Sequence, residues 1–276
     1  MKLKYTTKFY IFTNLFLILF RLVQILFLTE SKTTFLKQDF KFVSVIGTVI
    51  GVALLGLLAF RAYFVSRKPI KAINKGLPVA ILYGVSAAFY LIGGIITLIY
   101  TTNGFYCFAL SLLTAASCGL FAAASITECK FPKLCALPPI ALWLLEFILA
   151  YNFYTERTLR VRIVFETLAI CSVLLFYIRF GKLVSRVSAN KNYHHVYVLG
   201  LVSSTLCFTS IIPEFIAIIV GQSDKVTASC VSLFSLFAAG IFVSTFTINT
   251  FKSSNTIKKS TNCLQNSDTP SIDAQK

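Results

Sequence analysis

Charge is scarce in this chain. Only 13% of its 276 residues are Asp, Glu, Lys or Arg, and just ten residues are acidic. Soluble domains carry about 25% charged residues, so a soluble globule of this length would lack the polar surface to cover itself. The hydrophobic share of 57% therefore points to a bilayer as solvent. Alternation is missing too. A membrane barrel needs strands of about ten residues in which apolar and polar positions alternate, whereas a run such as VIGVALLGLLAF at 49–60 is apolar throughout. The N-terminal stretch MKLKYTTKFYIFTNLFLILFRLVQILFLTESK has no small-residue cleavage site, is too long for a signal peptide and contains Arg21, which makes an uncleaved first helix the expectation.

What the chain has is apolar stretches of spanning length, at 9–29, 43–65, 78–100, 104–126, 135–154, 163–180, 196–220 and 227–250. About 20 mostly apolar residues cross some 30 Å of hydrocarbon as a helix. The expected fold is an all-α polytopic bundle of eight helices over residues 1–250, followed by a disordered polar tail over 251–276. Short loops leave no room for a soluble catalytic domain, so any activity belongs to the bundle or its connections.

The net charge of +16 reports topology before it reports nucleic acid, and no nucleic-acid partner is expected. With eight spans, eighteen basic residues fall on the side that holds both termini and seven on the other. The positive-inside rule then makes both termini cytoplasmic, in a plasma membrane. The basic loop from Arg67 to Lys75 fixes that orientation and could also attract anionic lipid headgroups, at about 1 kcal/mol per basic residue.

Helices in lipid associate through close approach at small residues. Gly47 and Gly51 form such a step in the second helix, and Ala115, Gly119 and Ala123 repeat every fourth residue in the fourth. Both read as packing faces within one chain. Ionisable residues inside spans are costly, about 2.5 to 3.5 kcal/mol on insertion scales, and usually face the interior beside a partner. Arg21, Glu146, Glu166 and Glu214 are in this position. In the orientation above all four fall in the outer half, with Glu146 about 12 Å below the outer end of its helix. They form the candidate intramembrane polar site, with Glu146 its first member. Glu166 has a competing structural reading, an ion pair with Arg162 one turn earlier. Glu214 follows Pro213, whose missing N–H is a candidate kink that would open backbone beside an acid.

Other residues point to less. Pro138 and Pro139 sit where a helix begins and missing donors are tolerated. His194 and His195 are adjacent, point in different directions and belong to no metal-ligand spacing, so no metal or cofactor is expected. Cys107 and Cys230 could pair only if the outer ends of helices four and eight touch, and all eight cysteines read as ordinary small residues. No nucleophile and base occur at workable spacing, so no enzyme is expected.

The segment LEFILAYNFYTERTLRVRIVFETLAICSVLLFYIRFGKLV at 145–184 resembles uncharacterised multi-pass membrane proteins of AT-rich bacteria, in which a helix, a short charged turn and an acid-containing helix recur. The resemblance implies a helical bundle in a bacterial membrane and no particular activity. Transport or sensing of a small solute or ion through a polar cavity is the expected function. A non-transporting partner or regulatory subunit of a larger complex, with protein partners unspecified, is the alternative.

Overall fold

The structure is a computed structural model that describes residues 2–28, 41–65, 76–100, 104–127, 133–155, 161–185, 189–222 and 233–249. The basic loop from Arg67 to Lys75, the tail and Cys230 lie outside these residues. Eight helices are described: α1 (Lys2–Val23), α2 (Lys41–Val65), α3 (Leu77–Tyr100), α4 (Gly104–Ile126), α5 (Leu137–Thr155), α6 (Val161–Val184), α7 (Ala189–Ile219) and α8 (Leu233–Asn249). The first seven are long and apolar enough to cross a membrane, and α8 is a 17-residue apolar helix. The protein is thus an all-α, multi-pass membrane bundle.

Several helices run past their expected ends. α1 starts at Lys2 rather than residue 9, and α7 extends over 31 residues from Ala189. At 1.5 Å per residue α7 is about 46 Å long, more than the hydrocarbon requires. Hydropathy marks where lipid contact begins, while helical hydrogen bonding continues into the polar residues beyond it.

The helix ends have identifiable chemistry. Gly76, at φ 144°, precedes α3; its carbonyl accepts from the amides of Val79 and Ala80, and its own amide donates to the Ser125 carbonyl at 3.1 Å. One glycine therefore starts α3 and ties it to the end of α4. α7 closes at Gly221, φ 79°, whose amide donates to Ile218 while that of Gln222 donates to Ala217. This is the paired pattern by which a left-handed glycine satisfies the last carbonyls of a helix. A short 3₁₀ turn, Lys133–Ala136, leads into α5, and Pro138 and Pro139 occupy its first turn as expected.

α3 and α4 form a closely packed hairpin, α6 and α7 a second pair, and α1 and α2 both dock on α7. α8 lies against α3, α6 and α7. The Ser86 hydroxyl donates to the Ala238 carbonyl at 2.7 Å, Phe180 meets Phe246 at 4.8 Å between centroids, and Gly240 approaches Phe208. The centre is aromatic: Tyr83, Phe121, Phe176, Tyr177, Phe180 and Phe242 are all buried. A polar knot lies within it, where Trp143 donates to the Tyr90 hydroxyl and Tyr90 meets the Tyr177 hydroxyl, each at 3.3 Å. α2 is the peripheral helix; Phe42, Val49, Val52 and Phe60 project outward as a lipid-facing surface.

Small residues divide into two groups. Gly47 faces Phe20 and Gly51 faces Leu17, so the GxxxG step of α2 does receive α1. Gly119 does not pack. It points outward with nothing within 4 Å of where a Cβ would stand, and Ala123 is exposed beside it. The repeat in α4 places Ala115 inward and lets the residues after it rotate to the surface, because 3.6 residues per turn carries a four-residue step around the helix. Close approaches occur instead at isolated glycines: Gly93 against Ser235, Gly94 against Ser111 and Gly200 against Thr247.

Candidate functional site

Three of the four ionisable residues singled out from the sequence come together. Arg21 of α1, Glu166 of α6 and Glu214 of α7 line one small cavity with Phe165, Ser210, Ile211, Leu233 and Leu236. The site lies at the end of the bundle where α1, α5 and α7 finish and α6 and α8 begin. Glu214 and Glu166 are each five residues from a helix end, about 7.5 Å along the axis. Glu214 is 2% exposed and Arg21 4%; Glu166 is half-buried.

Arg21 is positioned from several directions. Its Nη1 donates to Gln24 Oε1 at 2.5 Å, and Gln24 Nε2 donates in turn to Ser44 Oγ of α2 at 2.5 Å. The guanidinium carbon lies 5.3 Å from the centroid of Phe165, the arrangement in which a cation is attracted to a ring face. Gln24 opens a π-helical turn, Gln24–Leu28, that continues α1. Such wider turns often occur at functional sites, and this one has Gln24, Ile25 and Leu28 buried.

On the opposite wall, Ser210 and Glu214 are one helical turn apart on α7. Between them is Pro213, which lies inside the helix and cannot donate to the Thr209 carbonyl. The Thr209 and Ser210 hydroxyls are both buried without a hydrogen-bond partner. Many other hydroxyls of the bundle return to their own helix, as Thr97 donates to Gly93, Ser125 to Phe121 and Thr205 to Leu201, while Thr114 and Thr247 share the unsatisfied state. What distinguishes this stretch of α7 is that two unsatisfied hydroxyls are adjacent in it, shortly before Pro213 and Glu214.

Glu146 of α5 does not line the cavity. It is half-buried and stands within electrostatic range of Glu166 and of the Cys107 thiol, so it belongs to the flank of the cluster. The Arg162 side chain, the expected partner of Glu166, lies outside what is described. His195 is exposed, and His194 is half-buried 6.5 Å from the Tyr63 ring. Among the described residues no three His, Cys, Asp or Glu side chains gather into a metal-binding group.

Gln24, Ser44, Phe165 and Ser210 were not anticipated. A glutamine three residues after Arg21 in an apolar run was a usable signal, since that spacing places both on one helix face. Nothing in the sequence distinguishes Ser44 or Ser210 from the other helical serines.

The cavity measures about 10 Å³, room for roughly one water molecule. Fold and site together define a multi-pass helical membrane protein with a buried, acid-rich polar cluster near one end of its bundle. Comparison with protein-family models, curated proteins and solved structures finds no match.

Proposed function

We propose that this protein transports or senses a small solute or ion, received at the cluster of Arg21, Glu166 and Glu214. The observation that carries the reading is the convergence of these three residues, from α1, α6 and α7, on a single cavity. Burying charge in a bundle is expensive, and one arginine with two glutamates around a void is more than a packing contact needs. The chain is then a plasma-membrane protein with both termini cytoplasmic, and the cluster opens toward the outer side. It acts without enzymatic chemistry. Pro213 supports this role, because a proline inside a continuous helix leaves the Thr209 carbonyl without its helical donor beside an acid.

The test is ion flux into liposomes reconstituted with the full chain. Glu214→Gln keeps the shape of the side chain and removes its charge, and should lower flux at least tenfold while the protein stays folded. Glu146→Gln, on the flank, should have the smaller effect. Wild-type liposomes no leakier than empty ones would sink transport and leave the reading as a membrane-embedded partner or regulatory subunit.

A further inference from the structure

Polar side chains are concentrated on one interface of the bundle. Among the described residues, half of the buried polar and charged side chains belong to α1 with its π-helical turn or to α7, and α1 docks on α7. Thr6, Tyr10, Asn14 and Arg21 of α1 are all buried, and their spacing keeps them within about 80° on one helix face. From residue 6 to residue 24 the helix covers about 27 Å, close to the hydrocarbon thickness of a bilayer. α7 presents hydroxyls to this face. The Tyr10 hydroxyl meets Ser204 Oγ at 2.9 Å, and Asn14 Nδ2 donates to Thr205 Oγ1 at 3.3 Å. Thr209 stands one turn beyond Thr205 on the same side of α7, and Ser210 follows it, lining the cavity with Arg21 and Glu214. The seam thus leads from the N-terminal end of the bundle to the cluster.

Polar residues between helices in lipid commonly serve as glue, and a contact that serves only as glue needs its polar atoms paired. Three oxygens of this seam are not: Asn14 Oδ1, Thr209 Oγ1 and Ser210 Oγ are buried without a hydrogen-bond partner. Turning the Asn14 amide over gives no relief. Its Nδ2 is engaged with the Tyr10 carbonyl at 2.9 Å, and exchanging the two amide atoms would set oxygen against oxygen. In the same stretch Pro213 leaves the Thr209 carbonyl without its helical donor. Buried acceptors grouped in this way are met by internal water.

We infer that the α1–α7 seam is a proton route between the end of the bundle at Thr6 and the cavity at Glu214. A Tyr, Ser or Thr hydroxyl both donates and accepts. A proton arriving on such an oxygen is matched by loss of the hydroxyl's own proton to the next acceptor, so one O–H bond forms as another breaks. Waters held at Asn14 Oδ1 and Thr209 Oγ1 carry the steps between hydroxyls, and the Glu214 carboxylate takes or gives the proton at the cavity. The species is a proton because Tyr10 with Ser204 and Asn14 with Thr205 close the interface by direct hydrogen bonds, which a proton passes along and a metal ion or organic solute must break. The inference rests on the proposed transport role and names its substrate.

The experiment is proton flux into liposomes that contain the full chain, followed with a trapped pH-sensitive dye under a potassium diffusion potential set by valinomycin. Wild type should carry protons well above empty liposomes. Thr209→Val keeps the outline of the side chain and removes the hydroxyl, and should lower the flux at least tenfold. Because the lost hydroxyl has no partner, the thermal midpoint of this variant in detergent should stay or rise. Tyr10→Phe should lower the flux by a similar factor. Ser86→Ala deletes a buried hydroxyl outside the seam, bonded to the Ala238 carbonyl, and should leave the flux within twofold. Proton flux unchanged in both Thr209→Val and Tyr10→Phe overturns the route and leaves transport standing, as does flux of sodium or another ion without protons. An equal loss in Ser86→Ala also overturns it, since the seam would then be no more sensitive than the rest of the bundle. Liposomes impermeable to every ion tested remove transport and the route together.

Discussion

At Gly200 a single methyl group is too much. A Cβ there would stand 2.1 Å from Thr247 Oγ1 and 3.1 Å from Thr247 Cβ, and Thr247 is itself 1% exposed on α8. A β-branched side chain has little rotamer freedom with which to retreat, so Gly200→Ala must separate α7 from α8. The expected cost is about 1 to 3 kcal/mol, the usual range for overpacking. Gly119→Ala is the matched control, since nothing lies within 4 Å; it should be neutral or stabilise slightly, because alanine is the better helix former by about 1 kcal/mol. Denaturation of the two variants in the same detergent checks both expectations, and equal losses would contradict the assignment of α7 and α8 as tightly packed neighbours. The pair also shows how far a residue can be read from sequence. Gly119 belongs to a three-member small-residue repeat and faces outward, while Gly200, with only the single step to Ser204, meets Thr247 closely. What decides is the residue opposite, 47 positions away, and no local pattern carries that. Ionisable residues behave otherwise. Arg21, Glu166 and Glu214 were legible because charge inside an apolar run is expensive wherever it occurs. Ser210 was not, because most helical serines satisfy themselves against their own backbone.

Among the helices, the best-defined terminus is that of α7. Gly221 holds φ 79° while two amides, its own and that of Gln222, close on Ile218 and Ala217. An L-residue in that conformation costs about 1 to 2 kcal/mol. Gly221→Ala should lose roughly that much stability, and Gly221→Asn less, since asparagine visits the left-handed region more readily. Thermal midpoints ranked glycine, asparagine, alanine would agree with this geometry; alanine equal to glycine would mean that the cap does not hold the helix. The cap stands seven residues beyond Glu214, so the alanine variant should also loosen the α7 wall of the cavity. Helix existence was legible from hydropathy in all eight cases, because a run of apolar residues in lipid has almost no alternative to a helix. Helix ends were less so. The N-terminal extensions of α1 and α7 pass through Lys, Tyr, Asn and Thr, where backbone hydrogen bonding continues after the hydropathy signal has stopped.

For the whole molecule orientation decides what the site can sample, since the bundle has two ends and the cluster occupies one. If α8 crosses as the first seven helices can, the number of crossings is even and the N-terminus and the end of α8 share a side. On the proposed reading, the excess of lysine and arginine in the connections on that side makes it cytoplasmic. Two positions on α7 make the assignment measurable. His195 is exposed near its start and Val220 is 57% exposed at its finish, with most of a bilayer between them. In a background without native cysteines, Val220→Cys should react with a membrane-impermeant thiol reagent added to intact cells, whereas His195→Cys should react only after the cells are opened. The reverse pattern would invert the bundle, place the cluster at the cytoplasmic face, and change what the protein can sample: the cluster would then be loaded from the cell interior, at cytoplasmic concentration and pH. Reactivity at both positions in intact cells would contradict a span through α7. The topology result therefore determines which compartment must be varied when flux is interpreted, and it precedes that measurement.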